Sequence, residues 1–202
     1  MERILYSHSI SINSYRARLI LNLLNLEFSE ITVDLLRSEQ NEEQFKKINP
    51  LSQIPVLMEN DITIWDSHAI SIYLAEKYGQ DKWFPQNIQN RAAVLQWLFF
   101  DANELHNGIG LARVHYKFKI GKDGETYQKR GKKALSVLND RLENRDWIEL
   151  NKPTLADVSC FPFCAVSKDA KIDINEYTNV QKWMERFSNL ENFVPFRKFE
   201  RK

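Results

Sequence analysis

Asn49-Pro50-Leu51-Ser52-Gln53-Ile54-Pro55-Val56-Leu57 decides how the first half of the chain is read. A proline directly before an apolar run removes a ladder donor at the start of a strand, so Ile54-Pro55 calls for a special geometry, often cis. A cis bond there turns the N–H and C=O of Ile54 outward, where an extended peptide-like ligand can pair with them as an added strand. The plain alternative is a turn proline. Downstream, Asn60-Asp61 separates Val56-Leu57-Met58 from Ile62-Thr63-Ile64, which reads as a β-hairpin. Asp66-Ser67 then opens a helix over 68–78, with Ile70, Ile72, Tyr73 and Leu74 on its apolar face and Gly79 at its end. Upstream, Arg3-Ile4-Leu5-Tyr6 reads as a buried strand, and Ala17, Ile20, Leu21 and Leu24 give a helix over 14–24. The run Ile31-Thr32-Val33 marks a second strand within 28–35, and the Gln/Glu-rich stretch 38–47 an exposed helix ending before Asn49-Pro50. Residues 1–79 are therefore an α/β domain.

The remainder has no comparable strand pattern. Helical spacing runs through 91–119, 125–142 and 153–166, with a shorter amphipathic piece from Ile174 on, so 86–202 reads as an all-helical domain. The closing Phe193-Val194-Pro195-Phe196 is expected to pack back on that bundle. Of 202 residues, 43% are hydrophobic and 27% charged, the profile of a soluble globular chain long enough for a sizeable core. Lys and Arg number 28 against 27 Asp and Glu, which removes a composition-level case for nucleic acid or an anionic membrane as main partner. No apolar run approaches a membrane span, and the N-terminus lacks a signal-peptide layout. A cytoplasmic protein is expected. Residues 1–80 carry 7 Lys and Arg against 11 Asp and Glu, and the rest 21 against 16, an imbalance that fits a boundary near Gly79.

Three local features bear on chemistry. Asp66-Ser67 at a helix start places free N–H groups, a positive dipole end, a hydroxyl and a carboxylate together, which suits an amino-acid head group; the bland reading is a simple N-cap. Thr154-x-x-Asp157 is a capping box with a structural role. Cys160 and Cys164, four apart among apolar neighbours, read as buried thiols, and His8, His68, His106 and His115 have no metal-ligand spacing.

In this order and spacing, the stretches Asn49–Leu57, Asp66-Ser67 through Leu74-Ala75-Glu76-Lys77-Tyr78, and Pro153–Asp157 resemble the cytosolic glutathione transferase superfamily over essentially the whole chain. The resemblance implies a thioredoxin-like N-terminal domain with a cis-proline at Pro55, then an all-helical domain, an active site in the cleft between them, and a homodimer. The stretch Trp97-Leu98 to Glu104-Leu105-His106-Asn107-Gly108 is similar to bacterial members, beta-class ones included. Two departures stand out: Asn25 replaces a glycine common at the end of the first helix, and Glu149-Leu150-Asn151-Lys152 replaces a glycine-containing turn.

The implied chemistry lowers the pKa of the glutathione thiol, about 8.5 when free. Ser-x-Asn-x-Tyr-Arg over 11–16 places the catalytic serine of related bacterial sequences at Ser11, with Asn13 as a second donor; Ser9, Tyr6 and a site with no catalytic hydroxyl remain alternatives. By resemblance, the Ile54 backbone meets the cysteinyl moiety, Asp66 and Ser67 hold the γ-glutamyl end, and Gln53 and Arg37 approach a carboxylate. Glu104 of a second copy meets the ammonium. His106 and Arg113, seven apart on one helix, are candidates for the electrophile pocket. The leading expectation is conjugation of glutathione to small hydrophobic electrophiles, with glutathione as co-substrate and no other cofactor. A glutathione-dependent disulfide or peroxide reductase and a non-catalytic interaction module are the competing readings.

Overall fold

The computed structural model describes residues 2–196 and divides them into two compact units: 2–79 with 191–196, and Gln80–Leu190. The first unit is thioredoxin-like. Strands β1 (Arg3–Ser7), β2 (Ser29–Thr32), β3 (Val56–Glu59) and β4 (Ile62–Trp65) form one sheet in the order β2-β1-β3-β4. β1 runs parallel to β2 and antiparallel to β3, and β3 to β4 is the expected hairpin. Helix α1 (Ile12–Leu23) supplies the crossover from β1 to β2, and α3 (Ser67–Tyr78) follows the hairpin. Leu5, Leu19, Ile20, Leu57, Ile70 and Leu74 are fully buried in this unit.

The stretch 38–47, expected as one helix, is a 3₁₀ turn (Glu39–Asn41) followed by the single-turn α2 (Glu43–Lys46). Ser38 at φ 61° and Glu42 at ψ 146° interrupt the helical path on either side of the 3₁₀ turn. Phe45 of α2 nevertheless anchors a small cluster with Val33, Ile54 and Val56.

A buried carboxylate locks β3 to α3. Glu59 Oε1 accepts from Arg3 Nε at 2.8 Å and Tyr78 Oη at 2.7 Å, while Oε2 accepts from Lys77 Nζ at 2.6 Å and from the Tyr73 hydroxyl. Burial alone raises a carboxyl pKa, yet these donors hold that of Glu59 at about 2. The C-terminal stretch corrects the expectation drawn from sequence: 191–196 belongs to the first unit. Tyr15 of α1 donates its hydroxyl to Val194 O at 2.8 Å and meets the Phe196 ring edge-on, with centroids 5.3 Å apart.

The second unit is all-helical: α4 (Ile88–Phe100), a π-helical segment (Asp101–Gly110), α5 (Leu111–Phe118), α6 (Gly124–Arg141), α7 (Leu155–Ala165) and α8 (Thr178–Ser188). The long pattern read over 91–119 is thus one continuous rod whose middle winds more widely. α6 packs against the π-helical segment at a glycine crossing, where a Cβ added to Gly108 would lie 2.5 Å from the Gly131 nitrogen. The capping box is present, and Asp157 does more than cap. Fully buried, it accepts from Thr154 N at 2.8 Å, Ile148 N at 3.0 Å and Trp183 Nε1 at 2.8 Å, tying α7 to α8 and to the preceding turn. Cys160 and Cys164 are both buried, and burial pushes the Cys164 thiol far up. The two departures from the family pattern both take left-handed backbone, Asn25 at φ 53° and Leu150 at φ 63°; asparagine tolerates that region better than leucine does.

Candidate functional site

β1 ends at Ser7, and the chain turns through His8-Ser9-Ile10 into α1 with Ser11 as N-cap. His8 shapes this turn: its carbonyl accepts from Ser11 N at 3.0 Å and from Arg18 Nη2 at 3.2 Å, and its ring Nδ1 accepts from Ile10 N at 3.1 Å. Burial lowers the pKa of the ring, in keeping with a neutral Nδ1 acceptor. Ser11 Oγ accepts from Ser14 N at 3.2 Å. Among the described residues its hydroxyl proton is donated to none. Ser11 is half-buried, and the first turn of α1 holds no acidic side chain, so the positive end of the helix is offset only by the cap.

A second helix start has the same character. Asp66, at φ 74°, caps α3 through Oδ1, which accepts from His68 N at 2.8 Å and Ala69 N at 3.0 Å. Its side chain is 55% exposed, and His68 Nδ1 lies 3.8 Å from the same oxygen. Ser67 is buried, and α3 also lacks an acidic first turn.

Arg16 connects the two helix starts, and the sequence reading gave it no role. Its side chain is fully buried, and Nη1 donates to Asn13 Oδ1 at 2.9 Å and Ser67 Oγ at 2.7 Å. The available signal was its place in Ser-x-Asn-x-Tyr-Arg. Asn49 is a second residue without an assignment. It is buried, its Nδ2 donates to Gln53 O at 2.6 Å and its Oδ1 accepts from Leu51 N at 3.0 Å, so it shapes the loop that presents Gln53-Ile54-Pro55.

The Ile54-Pro55 bond is cis. Ile54 precedes β3, and among the described residues neither its N–H nor its C=O has a hydrogen-bond partner. The Gln53 side chain is exposed beside it. Tyr6 packs its ring edge-on against Phe45, with centroids 6.2 Å apart, and Ser9 lies half-buried in the turn before Ser11.

The remaining candidates are engaged elsewhere. Arg37 is 82% exposed and sits 3.6 Å from Asp34. Glu104, in the π-helical segment, takes both guanidinium contacts of Arg130 at 3.1 Å. His106 stands edge-on to Phe163 of α7, with centroids 5.7 Å apart. Arg113 is buried, donates to Asp169 at 3.1 Å and lies over the Phe118 ring. The wider winding before Gly110 breaks the premise that seven residues close two even turns. Among the described residues no group of three or more His, Cys, Asp or Glu is placed to hold a metal ion.

Two helix N-termini with hydroxyl and amide side chains, joined through Arg16, are suited to an anionic ligand, and the unpaired Ile54 backbone at the cis-proline is suited to pairing with an extended, peptide-like one. Comparison with known proteins gives this class its family. The N-terminal domain model of glutathione S-transferases matches residues 1–76, and the C-terminal domain model matches 111–191. Glutathione S-transferase D6 of Drosophila melanogaster is 31% identical over 195 residues, which span 95% of this chain and 88% of the relative. A glutathione S-transferase structure from Pseudomonas fluorescens superimposes with a TM-score of 0.92 at 28% identity, covering 98% of this chain and 100% of that one. A glutathione transferase homologue from Drosophila mojavensis, solved with bound glutathione, gives 0.85 at 26% identity, covering 94% and 88%. The chain belongs to the glutathione S-transferase family of enzymes.

Proposed function

We propose that the protein conjugates glutathione to small hydrophobic electrophiles, with Ser11 as the hydroxyl that stabilises the thiolate. The observation that carries this reading is the Ser11 hydroxyl: it caps α1 as an acceptor and keeps its proton for a ligand at the positive end of the helix. A hydrogen bond to a charged acceptor is worth about 1.5–3 kcal/mol, and each pH unit of thiol acidification requires about 1.36 kcal/mol. One hydroxyl therefore supplies one to two units. In the reaction the S–H proton leaves to water, the thiolate sulfur bonds the electrophilic carbon, and the leaving group departs with its bonding pair or, in an addition, the displaced pair takes up a proton from water. Ser11 donates a hydrogen bond throughout and forms no covalent bond.

Ile54 would pair with the cysteinyl backbone, while Asp66 Oδ2 and the Ser67 hydroxyl hold the charged γ-glutamyl end. Gln53 lies next to that strand edge. A second copy would complete the site if Glu104 turns from Arg130 to the ligand ammonium, and His106 is the residue of the helical unit proposed to face the electrophile. Both cysteines are buried, which favours conjugation over a reductase forming a mixed disulfide with the protein. A cytoplasmic detoxifying homodimer, with glutathione as co-substrate and no further cofactor, is the corresponding biological reading. Isothermal titration with glutathione, followed by turnover of an activated aryl chloride, tests it. Binding with turnover is the expected result; no binding at millimolar glutathione would overturn it.

A further inference from the structure

We infer that Arg16 is a positioning residue that fixes Asn13 and Ser67 as hydrogen-bond donors in the glutathione site; the inference rests on the glutathione reading of that site. A guanidinium carries N–H donors and no acceptor. Each hydrogen bond that Arg16 makes therefore occupies an acceptor on its neighbour. Oδ1 of Asn13 accepts from Nη1 at 2.9 Å, and the reverse amide orientation would set N–H against N–H. The Asn13 amide is thus fixed with its Nδ2 donor end turned away from the guanidinium. Ser67 Oγ accepts from the same nitrogen at 2.7 Å, which directs the Ser67 proton elsewhere. Ser11 follows the same rule by a different route, its acceptor being taken by Ser14 N–H.

Three polar side chains at two helix N-termini consequently present protons to a ligand. An anion is what such a site selects: the thiolate near Ser11 and Asn13, and a carboxylate near Ser67. Arg16 achieves this while fully buried, so it acts through its neighbours. It also spans 51 residues of sequence from Arg16 to Ser67, holding the thiol end and the carboxylate end of the site in register.

Two variants test the inference. Asn13→Asp keeps an oxygen for Arg16 but replaces the outward donor with an acceptor, so the fold is retained and the pKa of bound glutathione thiol rises by about one unit or more. Arg16→Lys keeps the charge but loses the rigid fork, so glutathione Kd rises about tenfold and the thiol pKa rises as well. Thiolate absorbance against pH and calorimetric titration read the two effects, and a thermal melt reports stability separately. A purely structural Arg16 would move the melt and leave thiol pKa and affinity unchanged. An unchanged thiol pKa in Asn13→Asp overturns the inference while the glutathione reading stands, and it does so even if Arg16→Lys fails to fold. A wild type that binds no glutathione removes both.

Discussion

Ser11→Ala removes two interactions at once, and the structure allows them to be measured apart. The first is the N-cap bond from Ser14 N to Ser11 Oγ at 3.2 Å. Losing such a cap costs about 1 kcal/mol, which in a chain of this length lowers Tm by about 2–4 °C. The second is the hydroxyl donated to the glutathione sulfur, worth about 1.5–3 kcal/mol to the anion. Its loss returns the bound thiol toward its free pKa of about 8.5, a rise of about one to two units. The consequence is a deficit that depends on pH. Below the wild-type thiol pKa the thiolate fraction of the variant is lower by about 10-fold to 100-fold, and turnover falls by the same factor. Above about pH 9 both proteins hold mostly thiolate, and the deficit shrinks toward the intrinsic difference in nucleophilicity. The assay is turnover of an activated aryl chloride from pH 5.5 to 9.5, with thiolate absorbance titrated in parallel. A deficit that stays constant across this range, or a thiol pKa that does not move, would refute the assignment of Ser11 and return the question to Ser9 and Tyr6. A Tm change without a rate change would leave Ser11 a helix cap only.

Packing at Glu59, at two glycines and at Tyr15 sets how substitutions there should behave. Glu59→Ala leaves Arg3 and Lys77 without their shared carboxylate, and unfolding free energy should fall by about 3–5 kcal/mol in urea titration. Glu59 also sets an acid response: its folded pKa of about 2 lies below the unfolded carboxyl value, so its stabilisation is complete above about pH 4.5 and is lost as pH falls toward 2. Glu59→Gln should flatten that part of the stability-versus-pH curve. Gly108→Ala forces a methyl to 2.5 Å from the Gly131 backbone and should cost at least about 1–3 kcal/mol by thermal melt, whereas Gly121→Ala, open but at φ 81°, should cost about 1 kcal/mol. Tyr15→Phe deletes the bond to Val194 O, and loss of about 1 kcal/mol should appear with faster proteolysis of the C-terminal stretch.

What sequence made legible was local. The hairpin at Asn60-Asp61, the Asp66 cap, the Thr154–Asp157 box and the special proline at 55 each depend on residues within a few positions of one another, and each is present. Features that depend on winding or on distant partners were not legible. An apolar repeat over 91–119 cannot distinguish even α turns from the wider turns of 101–110, because both keep a buried face. The exposed stretch 38–47 offered good helix formers, and the left-handed Ser38 that interrupts it has no strong local signature. Phe193-Val194-Pro195-Phe196 has no period, so its choice of the first unit over the helical one rests on Tyr15, nearly the whole chain away.

The same division explains why the site was half-read. Ser11, Asn13, Asp66 and Ser67 stand at helix starts, where side-chain chemistry and backbone geometry coincide and short patterns carry meaning. Arg16 stands in the first half of α1, where an arginine ordinarily means a solvated face. Burial reverses that meaning: a fully enclosed guanidinium must find acceptors, and two of those it finds are side chains already singled out for the ligand. Because it consumes their acceptors, the donor polarity of Asn13 and Ser67 follows from one residue whose only local mark is its place in Ser-x-Asn-x-Tyr-Arg. Donors around the sulfur discriminate by charge: they should hold the thiolate form of glutathione more tightly than the S-methyl derivative, and Asn13→Asp should narrow that preference. If the S-methyl derivative binds as tightly as the thiolate in the wild type, the hydroxyl and amide protons are not aimed at the sulfur.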